Sequence, residues 1–221
     1  MLFTAFLVVA LTENQERSFI VNTKNKVRDY LESELIIPNH AHDSGDFLNS
    51  DNDNAFIYVL GGTHASLKLK FKVAADLYEK DRAETVMILN STRLTEFDKE
   101  LNRNLTDNEW SVKQLTSLGV ETEHIEFIDI EPGFFGTLSE ARTLANLSEI
   151  KETQNLYLVC SSYHSKRVLV TFSALLDEKD IIITIHKADE WMRITDLFFE
   201  YGKLIMYKNV LIPYILSKQS G

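Results

Sequence analysis

The sequence predicts an α/β fold, a three-layer sandwich around a mostly parallel five-stranded sheet, and three observations carry that expectation. Five short apolar runs, Phe56–Leu60, Val86–Leu89, Ile125–Ile130, Leu156–Cys160 and Ile181–Ile185, are rich in β-branched residues and lack the polar alternation of a sheet with one wet face. Stretches of helical length separate them, so strand and helix alternate along the chain, as in a parallel sheet packed between two helical layers. The apolar runs also stop abruptly at Gly, Ser, Thr or acidic residues. In open parallel sheets the ligand crevice lies just beyond the carboxyl ends of the strands, so those stops are where chemistry is expected.

Composition narrows the function. With 221 residues, 44% apolar and 25% charged, the chain can build one domain with a sizeable core. Thirty-three acids against 23 bases give a formal charge of -10, which repels polyanions and argues against generic nucleic-acid binding. The single Cys160 cannot form an intramolecular disulfide, and the six histidines show no zinc spacing; the His40/His42 pair reads as loop. No metal site is expected.

The elements follow in order. Residues 2–11 are apolar but supply only half of the roughly 20 residues a membrane span needs, and no basic region precedes them. Three readings stay open: a packed terminal element, a weak interfacial anchor that would give membrane contact through residues 2–11, or the remnant of a longer membrane segment. Between Thr12 and Leu35, apolar Phe19, Ile20, Val27, Tyr30, Leu31 and Leu35 suit an amphipathic helix at the edge of the domain. A polar linker over 38–54 follows, dividing an amino-terminal region, 1–53, from an α/β domain, 54–221. After the first strand comes a helix over Ser66–Tyr78, and after the second a long polar segment, Asn90–Asn104. The next helix, Asp107–Leu118, is stopped by Gly119, a common carboxyl-terminal signal. Helices over Leu138–Glu149 and His164–Leu175 flank the fourth strand, and Thr195–Tyr214 reads as a closing helix, with an interfacial helix as the alternative.

Candidate ligand-binding residues fall at the strand ends. Gly61 and Gly62 allow positive φ and close backbone approach to an anion, with Thr63 beside them and a helix amino terminus behind. Their spacing matches neither a dinucleotide fingerprint nor a Walker loop, and a plain strand-to-helix turn explains them equally well. Ser91 follows the second strand. Thr106-x-x-Glu109 and Thr137-x-x-Glu140 both fit reciprocal capping boxes; Glu131 and Gly136 place the second just beyond the third strand, where its carboxylate can also face a ligand. After the fourth strand Ser161 and Ser162 suit a helix cap, while His164 and Arg167, three residues apart, share one helical face. The imidazole exchanges a proton near neutral pH and the guanidinium holds a phosphate or carboxylate by paired hydrogen bonds. A serine-hydrolase reading is poor without a Gly-x-Ser-x-Gly elbow.

Five pieces in this order form a recognisable series: Val59-Leu60-Gly61-Gly62; Ala74-Ala75-Asp76-Leu77-Tyr78; Glu109 with Gly119-Val120; Glu131 before Thr137-Leu138-Ser139-Glu140; and Ser161-Ser162-Tyr163-His164-Ser165-Lys166-Arg167. The series resembles the YdcF/SanA/ElyC-like family of bacterial proteins, a domain of unknown function with a Rossmann-like fold, over about Asn54 to Tyr207. Departures are Thr63 where the family often has a small residue, Lys68, Lys70 and Lys72 where it has an Arg, Asn90-Ser91-Thr92 in place of Ser-Gly-Gly, and Ala141 in place of Asn. The resemblance implies a role in bacterial envelope or surface-polysaccharide biogenesis, in the cytoplasm or associated with the inner membrane, and a partner that is a small anionic ligand or a lipid-linked envelope precursor. It specifies no cofactor, reaction or oligomeric state. Two expectations result: an enzyme in which His164 is the acid or base with Glu140 as its carboxylate partner, or a non-catalytic metabolite-binding or scaffold module that regulates envelope synthesis.

Overall fold

The β-branched runs pair with one another because each carries apolar side chains on both faces and needs cover on both. In the computed structural model, which describes residues 21–38, 55–130, 135–147, 150, 153–176 and 181–219, they form one all-parallel five-stranded sheet. The chain runs α1 (21–35), β1 (Ala55–Val59), α2 (His64–Glu79), β2 (Thr85–Leu89), β3 (Leu94–Asp98), β4 (Arg103–Thr106), α3 (Asp107–Ser117), β5 (Ile125–Ile128) and α4 (Gly136–Asn146). It continues with β6 (Asn155–Ser161), α5 (Ser165–Leu176), β7 (Ile182–Ala188), α6 (Ile194–Met206), a π-helical turn (Tyr207–Leu211) and α7 (Ile212–Gln219).

The strand order is β5-β2-β1-β6-β7. The chain lays β2 and β5 on one side of β1, then returns to place β6 and β7 on the other. The direction of winding therefore reverses between β1 and β6, which pair in register from Ala55 opposite Asn155 to Val59 opposite Val159. A reversal of this kind parts the helices above the strand ends and opens a crevice there.

Alternation along each strand fills the two outer layers. Ile57, Val59, Val86, Ile88 and Val159 face α2 and α3 and pack with Phe71, Trp110 and Leu115. Their neighbours Tyr58, Leu60, Met87, Leu156 and Leu158 face α4 and α5 and pack with Leu144, Val168 and Phe172. A smaller cluster joins Leu31 and Leu35 of α1 to Tyr163, Leu197 and Leu204, so α1 covers the edge that carries α6. The helix α6 passes through its π turn into α7 just before Pro213, whose ring excludes ordinary helical geometry with the carbonyl four residues back.

The polar segment Asn90–Asn104 differs from expectation, since it holds an antiparallel hairpin, β3 and β4. Its faces are mostly wet, with Leu94 and Phe97 exposed, so no apolar periodicity marks it; Asn102 turns at φ 49. The apolar segment 2–11, most of the linker and Glu131 lie outside the described residues. Among the described residues no helix is long and apolar enough to cross a membrane, and no group of three His, Cys, Asp or Glu could hold a metal ion.

Candidate functional site

Gly61 and Gly62 follow β1, and the side chains beneath them explain why both lack a Cβ. The only described glycine with positive φ is Gly119, so the expected conformational role of the pair does not apply. Close approach does. A Cβ on Gly62 would stand 2.9 Å from Lys70 Nζ, and one on Gly61 would stand 3.2 Å from Glu140 Oε1. Lys70 is 1% exposed, and its ammonium donates to the carbonyls of Leu60 and Gly61 at 2.9 and 2.8 Å. Burial pushes the Lys70 pKa down, opposed by the charge on Glu140 among others. Thr63 caps α2, accepting from the Ser66 N–H at 3.3 Å.

Glu140 sits in α4, but not as a cap. The helix starts at Gly136 with Phe135 in the cap position, where its side chain has no oxygen to cap with, so Thr137 lies inside the first turn and the expected Thr137–Glu140 capping box does not form. Both side chains reach across to other elements instead. The Thr137 hydroxyl accepts from Arg167. The Glu140 carboxylate lies against the Gly61 turn, whose backbone helps to hold its pKa down. Burial raises the Glu140 pKa to about 7, with Lys70, the Gly61 N–H, Tyr58 and Arg167 opposing the rise. Its Oε2 is buried without a well-formed hydrogen bond, as is the neighbouring Tyr58 hydroxyl. A carboxyl so placed exchanges a proton near neutrality.

His164 and Arg167 meet a carboxylate that the sequence reading does not anticipate. Glu200 of α6, 5% exposed, receives Arg167 Nη2 at 3.0 Å and Lys203 Nζ at 2.6 Å, and lies 3.3 Å from His164 Nε2. The partner of His164 is thus Glu200 and not Glu140. Burial alone would raise the Glu200 pKa, but His164, Arg167 and Lys203 together hold it well below the usual carboxylate range. The Arg167 guanidinium also lies over the Tyr207 ring, 5.3 Å from its centroid, at the first residue of the π turn.

These groups line one cavity of about 470 Å³. Gly61, Thr137, Glu140, His164, Arg167 and Lys203 supply its polar wall; Leu60, Phe135, Met206 and Tyr207 supply the apolar one. Across Gly61 a second pocket of about 40 Å³ is bordered by Gly62, His64, Ser91, Arg93 and Asp107. The carboxyl ends of β1, β2 and β6 therefore converge as the strand reversal dictates. A further cavity of about 620 Å³ opens at the opposite edge, beside Tyr78, Glu84 and His124, away from these residues.

Compared with protein-family models and with curated proteins, the chain matches none. Its chemistry rests on its own residues.

Not every predicted residue belongs to the crevice. Glu109 forms the capping box with Thr106 and a forked ion pair with Arg103, which hold its carboxyl down at about 2; it borders neither pocket. Ser161 is fully buried with its hydroxyl 2.9 Å from that of Ser66, and makes no side-chain cap. Ser162 is buried too, its carbonyl accepting from Ser165 Oγ at 2.7 Å. Both serines brace the turn after β6 without facing the cavity. Burial pushes the Cys160 thiol up to about 12, which keeps it inert as a nucleophile. Lys70 and Glu200 escape sequence reading because each lies in an apolar helical stripe, Leu67-Lys70-Phe71-Ala74 and Leu197-Glu200-Leu204. A charge at such a position is the one signal that marks it.

Proposed function

We propose that the crevice binds an anionic, phosphate- or nucleotide-containing ligand and catalyses hydrolysis or transfer at it, as a YdcF-like protein of bacterial envelope or surface-polysaccharide biogenesis. One observation carries the reading: Glu200, a single carboxylate, is shared by Arg167, Lys203 and His164. The cluster is left with surplus positive charge inside a concave site, on a chain whose overall charge is -10. Positive charge concentrated against the global field is an anion trap, and Arg167, held at the cavity wall by Thr137, Glu200 and Tyr207, has little freedom left to lose. Glu140, whose carboxyl pKa is raised by burial to about 7, supplies the proton that a leaving oxygen needs. The apolar wall of Phe135, Met206 and Tyr207 suits the non-ionic part of the ligand, and the five motif pieces support the envelope context.

A second reading, a non-catalytic metabolite-binding or scaffold module, is favoured by one feature: the Glu140 carboxylate stands against Gly61, 3.2 Å from where a Cβ would be, and crowds the turn that would cradle the anion. The two readings separate in a thermal-shift and turnover experiment on the full chain with inorganic phosphate, pyrophosphate, nucleotides and sugar phosphates. Stabilisation by a phosphate compound that Arg167→Ala abolishes supports the site. Equal shifts in wild type and Arg167→Ala would sink it. Turnover lost in His164→Ala with binding retained marks an enzyme; binding with no turnover in wild type marks the module.

A further inference from the structure

His64 opens α2 and Asp107 opens α3, and both helices begin at the carboxyl edge of the sheet. Their side chains meet, His64 Nε2 lying 2.8 Å from Asp107 Oδ1. The other carboxylate oxygen accepts from Ser91 Oγ at 2.6 Å and Arg93 Nε at 3.0 Å. The Trp110 ring packs on the imidazole, centroids 4.4 Å apart at 33°. Asp107 thus fixes the rotation of the imidazole and Trp110 fixes its plane. Burial would raise the Asp107 pKa, but the hydrogen bonds from Ser91, His64 and Arg93 outweigh it and hold it below the ordinary value. An anion facing Nε2 makes that nitrogen the donor, which leaves the lone pair of a neutral ring on Nδ1.

Helix capping does not account for this arrangement. Thr63 already caps α2, and Thr106 with Glu109 already completes the capping box of α3. The imidazole nevertheless remains 44% exposed at the rim of the small pocket, the condition a proton acceptor needs. The two pockets differ in the way a nucleophile and a ligand differ. About 40 Å³ accommodates one or two water molecules, each occupying roughly 30 Å³ in the liquid. The neighbouring cavity of about 470 Å³ holds the cationic cluster, and Gly61 borders both.

We propose that His64, oriented by Asp107, is a catalytic base of this crevice, acting from the opposite side of the Gly61–Gly62 turn to Arg167 on a water molecule in the small pocket. The proposal rests on the anion-binding reading and specifies its chemistry as hydrolysis of a phosphate ester or anhydride. The water oxygen forms a bond to phosphorus while its proton passes to His64 Nδ1. The bond from phosphorus to the leaving oxygen breaks with its electron pair, and that oxygen takes the proton of the Glu140 carboxyl. Exchange with solvent then returns the proton from His64 and reprotonates Glu140.

The test uses the full chain with p-nitrophenyl phosphate, bis(p-nitrophenyl) phosphate and pyrophosphate as probes, reading kcat, KM and the melting shift caused by inorganic phosphate. The expected result is that His64→Gln lowers kcat by about 10²–10⁴-fold while KM and the phosphate shift hold. Asp107→Asn should lose less, and imidazole in solution should restore turnover to His64→Gly but not to Arg167→Ala. Wild-type kcat in His64→Gln overturns the assignment. So does a wild type that phosphate stabilises but that turns over none of the three probes, a result that leaves anion binding standing. Absence of any phosphate shift removes the anion-binding reading, and the assignment of His64 with it.

Discussion

Lys70 Nζ donates to the Gly61 carbonyl at 2.8 Å from beneath the turn, so the ammonium and not the glycine backbone sets the shape of the strand end. With the second bond to Leu60 O it ties α2 to the end of β1 by two charge-assisted contacts. The same charge opposes the rise of the Glu140 pKa. Lys70 is therefore both the tether of the turn and a neighbour that keeps Glu140 ionisable near neutrality.

Lys70→Met tests both roles. Methionine fills the same channel but leaves two carbonyls without a donor, a loss of about 2–3 kcal/mol in urea or thermal unfolding. The Glu140 carboxyl, freed of the opposing cation, should titrate higher than about 7, which carbon-detected NMR of the carboxyl would follow. An unmoved titration would show that the ammonium is not coupled to Glu140.

The fold was legible because its signal is repeated. Each buried strand carries β-branched residues on both faces, and five such runs separated by helices leave few architectures open. The hairpin β3–β4 escaped because a two-stranded ribbon with wet faces has no apolar pattern to display. Within the site, His164 and Arg167 were legible from their place directly after an apolar run, where the end of a buried strand brings polar side chains to the crevice. The carboxylate they meet was not, since Glu200 lies 33 residues beyond Arg167 on a helix whose docking no local pattern announces. The Thr137-x-x-Glu140 motif misled for a related reason: a capping box requires Thr to stand just outside the helix, and α4 begins one residue before it.

Glu140 should make the protein less stable as pH rises. Its folded pKa of about 7 stands above the ordinary 4.5, so both folded and unfolded chains hold the proton below about 4.5 and no penalty arises. Between the two values the unfolded chain ionises while the folded one does not. The advantage of the protonated fold is lost across that window and is gone above about pH 7. A shift of this size corresponds to about 3 kcal/mol. Glu140→Gln stays neutral throughout, so its melting temperature should pass that of the wild type by an amount that grows from pH 4.5 to 7 and then levels, reaching on the order of 5–10 °C. A difference that does not change with pH would mean that the carboxyl ionises normally. The variant should be inactive despite its stability, because it has lost the proton donor.

Glu200 has the opposite sign. Its folded pKa lies below the ordinary 4.5, so the stability it contributes is present above that value and is lost as pH falls through the folded pKa. Glu200→Gln removes the counter-charge from Arg167, which is 7% exposed, and leaves a buried cation facing a neutral amide. Breaking a buried pair from one side costs about 3–5 kcal/mol. The deficit relative to wild type should be full at pH 7 and shrink below pH 4.5, where the carboxyl of the unfolded wild-type chain takes up a proton while the folded one keeps its charge. Inorganic phosphate should restore part of the lost melting temperature, since an added anion can take the place of the missing carboxylate between Arg167 and Lys203. A variant as stable as wild type at pH 7 would show that solvent, and not Glu200, neutralises the cluster; a variant that phosphate fails to rescue would show that the cations stay apart without Glu200 to gather them.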